Sequence, residues 1–233
     1  MMPWFIWKGK DSLSDFGLWV KSFPKRVKPE ERGEEIIIPG RAGSVTILEG
    51  KDIYSTYQDG MVVIARDDIN IDKAIEWLRG SGDLILSNDL DKVREARITG
   101  RVSFDHVNNC WREATIPFVF QPFRKSRFED QDTKTFTGAS GTMYNPGDVA
   151  SKPIVTIAGG GNNTITLAGQ AMAFTGISTD TIVVDCEAQI ITKGNNIWNG
   201  TFTGNFWELP TGAVSVAQTS NATITIEPRW RWL

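Results

Sequence analysis

In Ala96-Arg97-Ile98-Thr99-Gly100-Arg101-Val102-Ser103-Phe104, the residues Ala96, Ile98, Gly100, Val102 and Phe104 alternate with Arg97, Thr99, Arg101 and Ser103. A period of two sends one set to a buried face and the other to water, which is a strand and not a helix. Ile116, Phe118 and Phe120 repeat the pattern after Trp111, and residues 61–65 and 84–86 supply shorter runs of the same kind. Ile36-Ile37-Ile38 and Val45-Thr46-Ile47-Leu48 flank Pro39-Gly40-Arg41-Ala42-Gly43-Ser44 like two legs of an arm, which predicts a hairpin near residues 34–48 with an exposed tip. One helix is expected near residues 71–79. Asn70 can cap it, Ile71, Ala74, Ile75 and Leu78 recur at helical spacing, and Gly80 supplies a left-handed stop.

Composition divides the chain near residue 128. Residues 1–127 hold 20 of the 25 Lys and Arg and 19 of the 28 Asp and Glu, whereas 17 threonines fall after residue 127 and only 4 before it. A β-branched side chain suits a pleated, half-exposed surface, so the second half reads as a different kind of β domain. Its short runs at 154–157, 164–167, 181–185, 189–192 and 222–226 are separated by clusters such as Gly159-Gly160-Gly161-Asn162-Asn163, read as a hairpin turn, and Lys193-Gly194-Asn195-Asn196. That spacing predicts a sandwich. The expectation is a mainly β chain: an N-terminal domain over 1–127 carrying the helix and the arm, a polar linker over 128–141, and a C-terminal β-sandwich over 142–233.

The chain carries a net charge of −3 with a pI near 5.3. Nucleic acid held through phosphates needs a clustered basic excess, so it is not the expected ligand. No stretch approaches the roughly 20 apolar residues of a spanning helix, and Lys8 follows the first apolar residues too soon for a secretory leader; no membrane anchor and a cytosolic origin are expected. In that compartment Cys110 and Cys186 read as two small buried thiols, not a disulfide. The sequons at Asn162, Asn199 and Asn221 read as turn asparagines.

The expected chemistry is sparse: no catalytic residue, no cofactor and no metal. His106 is the single histidine and sits in a turn-like context, which removes a histidine triad and a two-histidine metal site. Asn88, Asp89 and Asp91 lack the central glycine and closing glutamate of a calcium loop. The glycine run 159–161 lacks the Lys-Ser/Thr ending of a phosphate loop. A carboxylate pair for glycan hydrolysis needs only proximity in space and is the poorest of the readings. Trp198, Phe202, Phe206 and Trp207 lie in a Gly/Asn/Thr-rich segment, and exposed rings on a sandwich can stack on sugars. This gives an alternative function, a carbohydrate-binding module that attaches to cell-wall glycans, weighed against core rings beneath a loop.

An ordered set of segments resembles the distal tail proteins of long non-contractile-tailed bacteriophages and prophages. They are Ile38-Pro39-Gly40-Arg41-Ala42-Gly43-Ser44-Val45, Lys73-Ala74-Ile75-Glu76-Trp77-Leu78 running into Leu84-Ile85-Leu86-Ser87-Asn88-Asp89, Arg94-Glu95-Ala96-Arg97, Phe120-Gln121-Pro122-Phe123, Tyr144-Asn145-Pro146-Gly147, Asp185-Cys186-Glu187 and Pro228-Arg229-Trp230-Arg231-Trp232-Leu233. None is a chemical motif. The resemblance implies a β-sandwich-like belt domain that forms a hexameric ring and a galectin-like C-terminal sandwich. It implies a hub at the virion tail tip, assembled in the bacterial host cytoplasm. The hub joins the tail tube protein to a tail-tip, fibre or lysin protein, with the tape measure protein as a further neighbour and DNA passing through the channel without specific contacts. Pro39, Gly40, Arg41, Ala42, Gly43 and Ser44 are then the expected subunit contacts. Some relatives carry inserted carbohydrate-binding modules, for which both domains here are too small.

Overall fold

The computed structural model describes residues 2–67, 69–177, 181–198 and 200–233. The chain divides into two compact units, Met1–Arg127 with Leu233, and Phe128–Trp232. It is mainly β, as expected.

The first unit contains β1 (Phe5–Trp7), β2 (Lys10–Asp11), β3 (Leu18–Ser22), β4 (Gly33–Ile37), β5 (Ser44–Leu48), β6 (Tyr57–Arg66), α1 (Ile71–Trp77), β7 (Gly80–Leu86), β8 (Asp89–Ile98), β9 (Phe104–Asn108) and β10 (Trp111–Ser126). The antiparallel order is β2-β1-β7-β8-β10-β6-β3, with β9 also on β10. Hydrogen bonds link the two ends of this order. The Val20 N–H donates to the Pro3 carbonyl at 2.9 Å. The Ser12 hydroxyl accepts from the Phe5 N–H and donates to the Leu18 carbonyl. The sheet thus curls around one core of Phe5, Trp7, Met61, Leu84, Ile116, Phe118 and Phe120, closed by Ala74 and Trp77 of α1. Each such side chain removed from water contributes roughly 1.5–3 kcal/mol. Asn70 caps α1 by accepting from the Lys73 N–H at 3.0 Å, and Gly80 follows at φ +71°.

In the second unit α2 (Glu129–Asp132) precedes β11 (Lys134–Phe136), β12 (Ser140–Asn145), β13 (Ile154–Ala158), β14 (Asn163–Leu167), β15 (Gln170–Thr175), β16 (Thr181–Asp185), β17 (Ile190–Lys193), β18 (Asn196–Ile197), β19 (Thr201–Gly204), β20 (Gly212–Gln218) and β21 (Thr223–Glu227). Two sheets, β11-β21-β13-β16-β17-β18 and β12-β20-β14-β15-β19, form a sandwich. Val155, Ile157, Ile182, Val184, Ile224 and Ile226 of one meet Ile165, Leu167, Met172, Phe174, Val214 and Val216 of the other. This is the alternation that fills a two-sheet core.

The structure corrects four local expectations. The strand read through residue 104 stops at Ile98. A Cβ on Gly100 would lie 2.7 Å from the Pro117 ring, so the chain leaves the ladder there by a close approach that only glycine permits. Residues 128–141 are not a linker. They hold α2 and β11, and Thr135 pairs with Thr225 in the sandwich itself. A three-residue strand with one apolar side chain, Phe136, carries no periodic signal. The glycine run 159–161 is not a hairpin turn, because β13 and β14 belong to opposite sheets. All three glycines have positive φ, which lets the chain cross from one layer to the other. Finally, Cys110 is exposed, because it sits in the turn between β9 and β10, while Cys186 is buried.

Candidate assembly surfaces

The hairpin of β4 and β5 belongs to none of the three larger sheets. Its register pairs Gly33 with Leu48 and Ile37 with Ser44, and the tip turns through Gly40 and Gly43 at φ +82° and +83°. The stem is fixed: Glu49 and Arg32 are joined by a backbone hydrogen bond and an ion pair at 3.2 Å, and the Tyr54 ring meets Phe123 edge-on at 5.6 Å. Beyond the stem the side chains are bare. Ile36 and Ile38 are 42% exposed, Ile37 79%, Ile47 54% and Leu48 49%. A two-stranded hairpin is at best marginally stable in water, and an apolar one needs a surface to lie on. Pro39, Gly40, Arg41, Ala42, Gly43 and Ser44 are all exposed, and Arg41 has no ion-pair partner among the described residues.

The four aromatics of the second unit do not form a platform. Trp207 is fully buried, its indole N–H donating to the Gln170 carbonyl at 3.0 Å, so it offers no face to a sugar. Trp198 and Phe206 pack against the core, and only Phe202, at 39%, is exposed. The aromatic composition was legible, but which rings the core would claim was not.

Asp89 is bound by the chain's own cations. Its Oδ2 lies 3.1 Å from Arg124, 3.7 Å from the buried Arg94 and 3.9 Å from Arg26. Burial lowers the pKa of the Arg94 guanidinium. A carboxylate so surrounded braces β8 against β10. His106 is exposed, with Nδ1 3.8 Å from Asp67. Among the described residues no group of three or more His, Cys, Asp or Glu could hold a metal ion, and no helix is long and apolar enough to cross a membrane. Asn162 accepts from the Gly176 N–H as a turn residue, and Asn199 lies outside the described residues.

Three of the resembling segments converge within the second unit. Asp185 ends β16 and receives Arg229 in a fork, and Glu187 receives Arg231 at 2.6 Å. Asn145 donates to the Leu209 carbonyl and accepts from the Gly147 N–H, while the Trp232 indole donates to the Pro146 carbonyl. These residues hold the final segment of the chain, so their role is architectural. Burial would raise the Asp185 carboxyl, but the Ala188 N–H and the Arg229 guanidinium hold it below its ordinary value. Burial pushes the Cys186 thiol up to about 12.

The chain thus combines a curled β unit, a β-sandwich and a bare apolar arm, with Asp89, Asp185 and Glu187 tied to its own arginines. Its fold matches the crystal structure of SPP1 Dit (gp 19.1), described as a paradigm of the hub adsorption apparatus in phages infecting Gram-positive hosts, with a TM-score of 0.73, 15% identity and 100% of both chains covered. No family model matches the chain, and no curated protein does. At this identity the likeness shows the fold, and the resemblance to distal tail proteins read from the sequence is borne out at that level.

Proposed function

We propose that this chain is a distal tail hub adaptor. Six copies form a ring through the first unit, with the second unit as a galectin-like sandwich. The ring joins the tail tube protein to a tail-tip, fibre or lysin protein at the tip of the virion, after assembly in the host cytoplasm, and neither a cofactor nor catalysis enters the reading. The observation that carries it is the β4–β5 hairpin, which exposes five large aliphatic side chains on an arm without a sheet to join. The whole-chain likeness to a hub protein supports the same reading. Head-to-tail contacts that close after six copies make a ring, and a contact of standard size buries about 800 Å² on each partner. Light scattering and electron microscopy of concentrated protein, alone and mixed with its tube and tip proteins, are expected to show a sixfold ring with a central hole wide enough for duplex DNA. A particle that stays monomeric in every mixture rules the reading out.

A further inference from the structure

We propose that the outer face of the sheet β11-β21-β13-β16-β17-β18 receives the β4–β5 arm of a second copy, a docking site that rests on the ring reading and gives the arm its surface. Pairing fixes which side chains leave this sheet outward. Val183 lies opposite Thr156 and Thr192, Thr192 lies opposite Ile197, and Ile154 and Ile190 flank Asp185. Their neighbours along each strand, Val155, Ile182, Val184 and Ile191, are buried in the sandwich core, so this set points away from it. The outer face of a sandwich is ordinarily polar, because water covers it. Here Ile197 is 72% and Ile190 43% exposed, with Ile154 and Val183 half-buried beside them.

The matching surface is on the arm. Ile36 pairs with Val45 and Glu34 with Ile47, so Ile36, Val45 and Ile47 share one face. Among the described residues, every exposed isoleucine lies either on the arm and its stem or on this sheet face. Two unlike apolar surfaces on one chain that cover each other make a head-to-tail contact between copies. Charge selects the same pair. Asp185 is held by Arg229, whereas the carboxylate of Glu227, opposite Ile154 on β21, has no hydrogen bond or ion pair among the described residues, and neither has Arg41 at the arm tip. In the order β21-β13-β16-β17-β18, four spacings of about 4.8 Å put β18 roughly 19 Å from β21. Residues 34 to 40 of the extended arm span roughly 20 Å at about 3.3 Å per residue. An arm laid across the strands, one of the two ordinary ways in which sheets pack, thus sets Arg41 over Glu227 and leaves Glu34 beyond the β18 edge. Ile36, Val45 and Ile47 then rest on Val183, Ile190 and Ile197. The first units form the ring, and each arm clasps the neighbouring sandwich.

Cross-linking between two differently marked copies tests the contact. In a Cys110→Ser background, with Cys186 buried, one copy carries Ile47→Cys and the other Ile197→Cys, each shown by its melting temperature to be folded. A bismaleimide is expected to join this mixed pair several-fold faster than it joins Ile47→Cys to Ser215→Cys on the opposite sheet, or Ile197→Cys to itself. Glu227→Arg in the Ile197→Cys copy should slow the mixed reaction, and Arg41→Glu in the Ile47→Cys copy should restore it. Mixed cross-linking no faster than these controls, where the wild type forms rings, overturns the acceptor face and leaves the ring standing. Absence of both rings and mixed cross-links removes both. Mixed cross-links without sixfold particles support the contact and remove the ring.

Discussion

Arg229 forks onto Asp185, with Nη1 3.1 Å from Oδ1 and Nη2 3.2 Å from Oδ2. Parallel charge-assisted hydrogen bonds of this kind fix two planar groups in one geometry. Arg229 also has a positive φ, +52°, at the start of the final segment.

That fork should give the second unit an acid-sensitive contribution to stability. Hydrogen bonds and Arg229 lower the folded Asp185 carboxyl, so its contribution is complete above the ordinary carboxylate value and is lost as pH falls through the folded value. The groups are partly exposed, and solvent limits the effect of Arg229→Ala to about 1–2 kcal/mol, or a melting shift on the order of 5 °C. Thermal melts of wild type and Asp185→Asn should differ at neutral pH and draw together as the pH falls through the lowered folded value of Asp185. A gap that widens on acidification would contradict this sign.

Truncation distinguishes the expected start of the sandwich, at residue 142, from the start of the compact unit, at Phe128. Starting the fragment at residue 142 removes β11 from one sheet edge and Gly138, whose carbonyl accepts from Gln218 at 2.9 Å. Gln218 is buried and also bonds Asn163, so that loss falls on a buried polar pair. Residues 128–233 should fold as a soluble fragment with dispersed amide resonances, and residues 142–233 should be less stable by about 1–3 kcal/mol. Equal denaturant midpoints would show that 128–141 contributes nothing.

Gly147 is required by a close approach, since a Cβ there would lie 2.3 Å from the Arg231 carbonyl. Backbone cannot step aside as a flexible side chain can, so Gly147→Ala should cost about 1–3 kcal/mol. Gly138 is the control for glycine replacement in general, its Cβ meeting nothing nearer than 3.9 Å at an ordinary φ. If chemical denaturation finds Gly147→Ala as stable as wild type, the final segment is not held where Asn145 and Pro146 place it.

Legibility followed the length of each periodic signal. β10 announces itself through Ile116, Phe118 and Phe120, and α1 through Asn70 and its apolar spacing. β1 has only three residues, yet it inserts Phe5 and Trp7 fully into the core. β20 alternates Val214 and Val216 with Ala213, Ser215 and Ala217, a contrast too weak in polarity to stand out. The pairing of β6 with β10 escaped for another reason. Its residues come from two strand ends about 45 positions apart in sequence, and cross-strand register, which a linear pattern does not encode, brings them together.

Arg41 gives the most direct test of the arm. It stands exposed at the tip of a hairpin whose legs are apolar and bare, so a surface that covers those legs would also meet its guanidinium. A planar fork of donors selects a carboxylate, and such a contact buried at an interface typically carries about 2–5 kcal/mol when one partner is removed. Within one subunit the side chain has no ion pair to lose among the described residues. Arg41→Glu should therefore leave the melting temperature of the monomer nearly unchanged. In a ring the repulsion recurs at every contact, so assembly should fail long before folding does. Paired measurements of particle mass and melting temperature separate the cases. Rings that persist in Arg41→Glu would remove the tip from the interface, and a monomer that unfolds instead would return the arm to the subunit's own core.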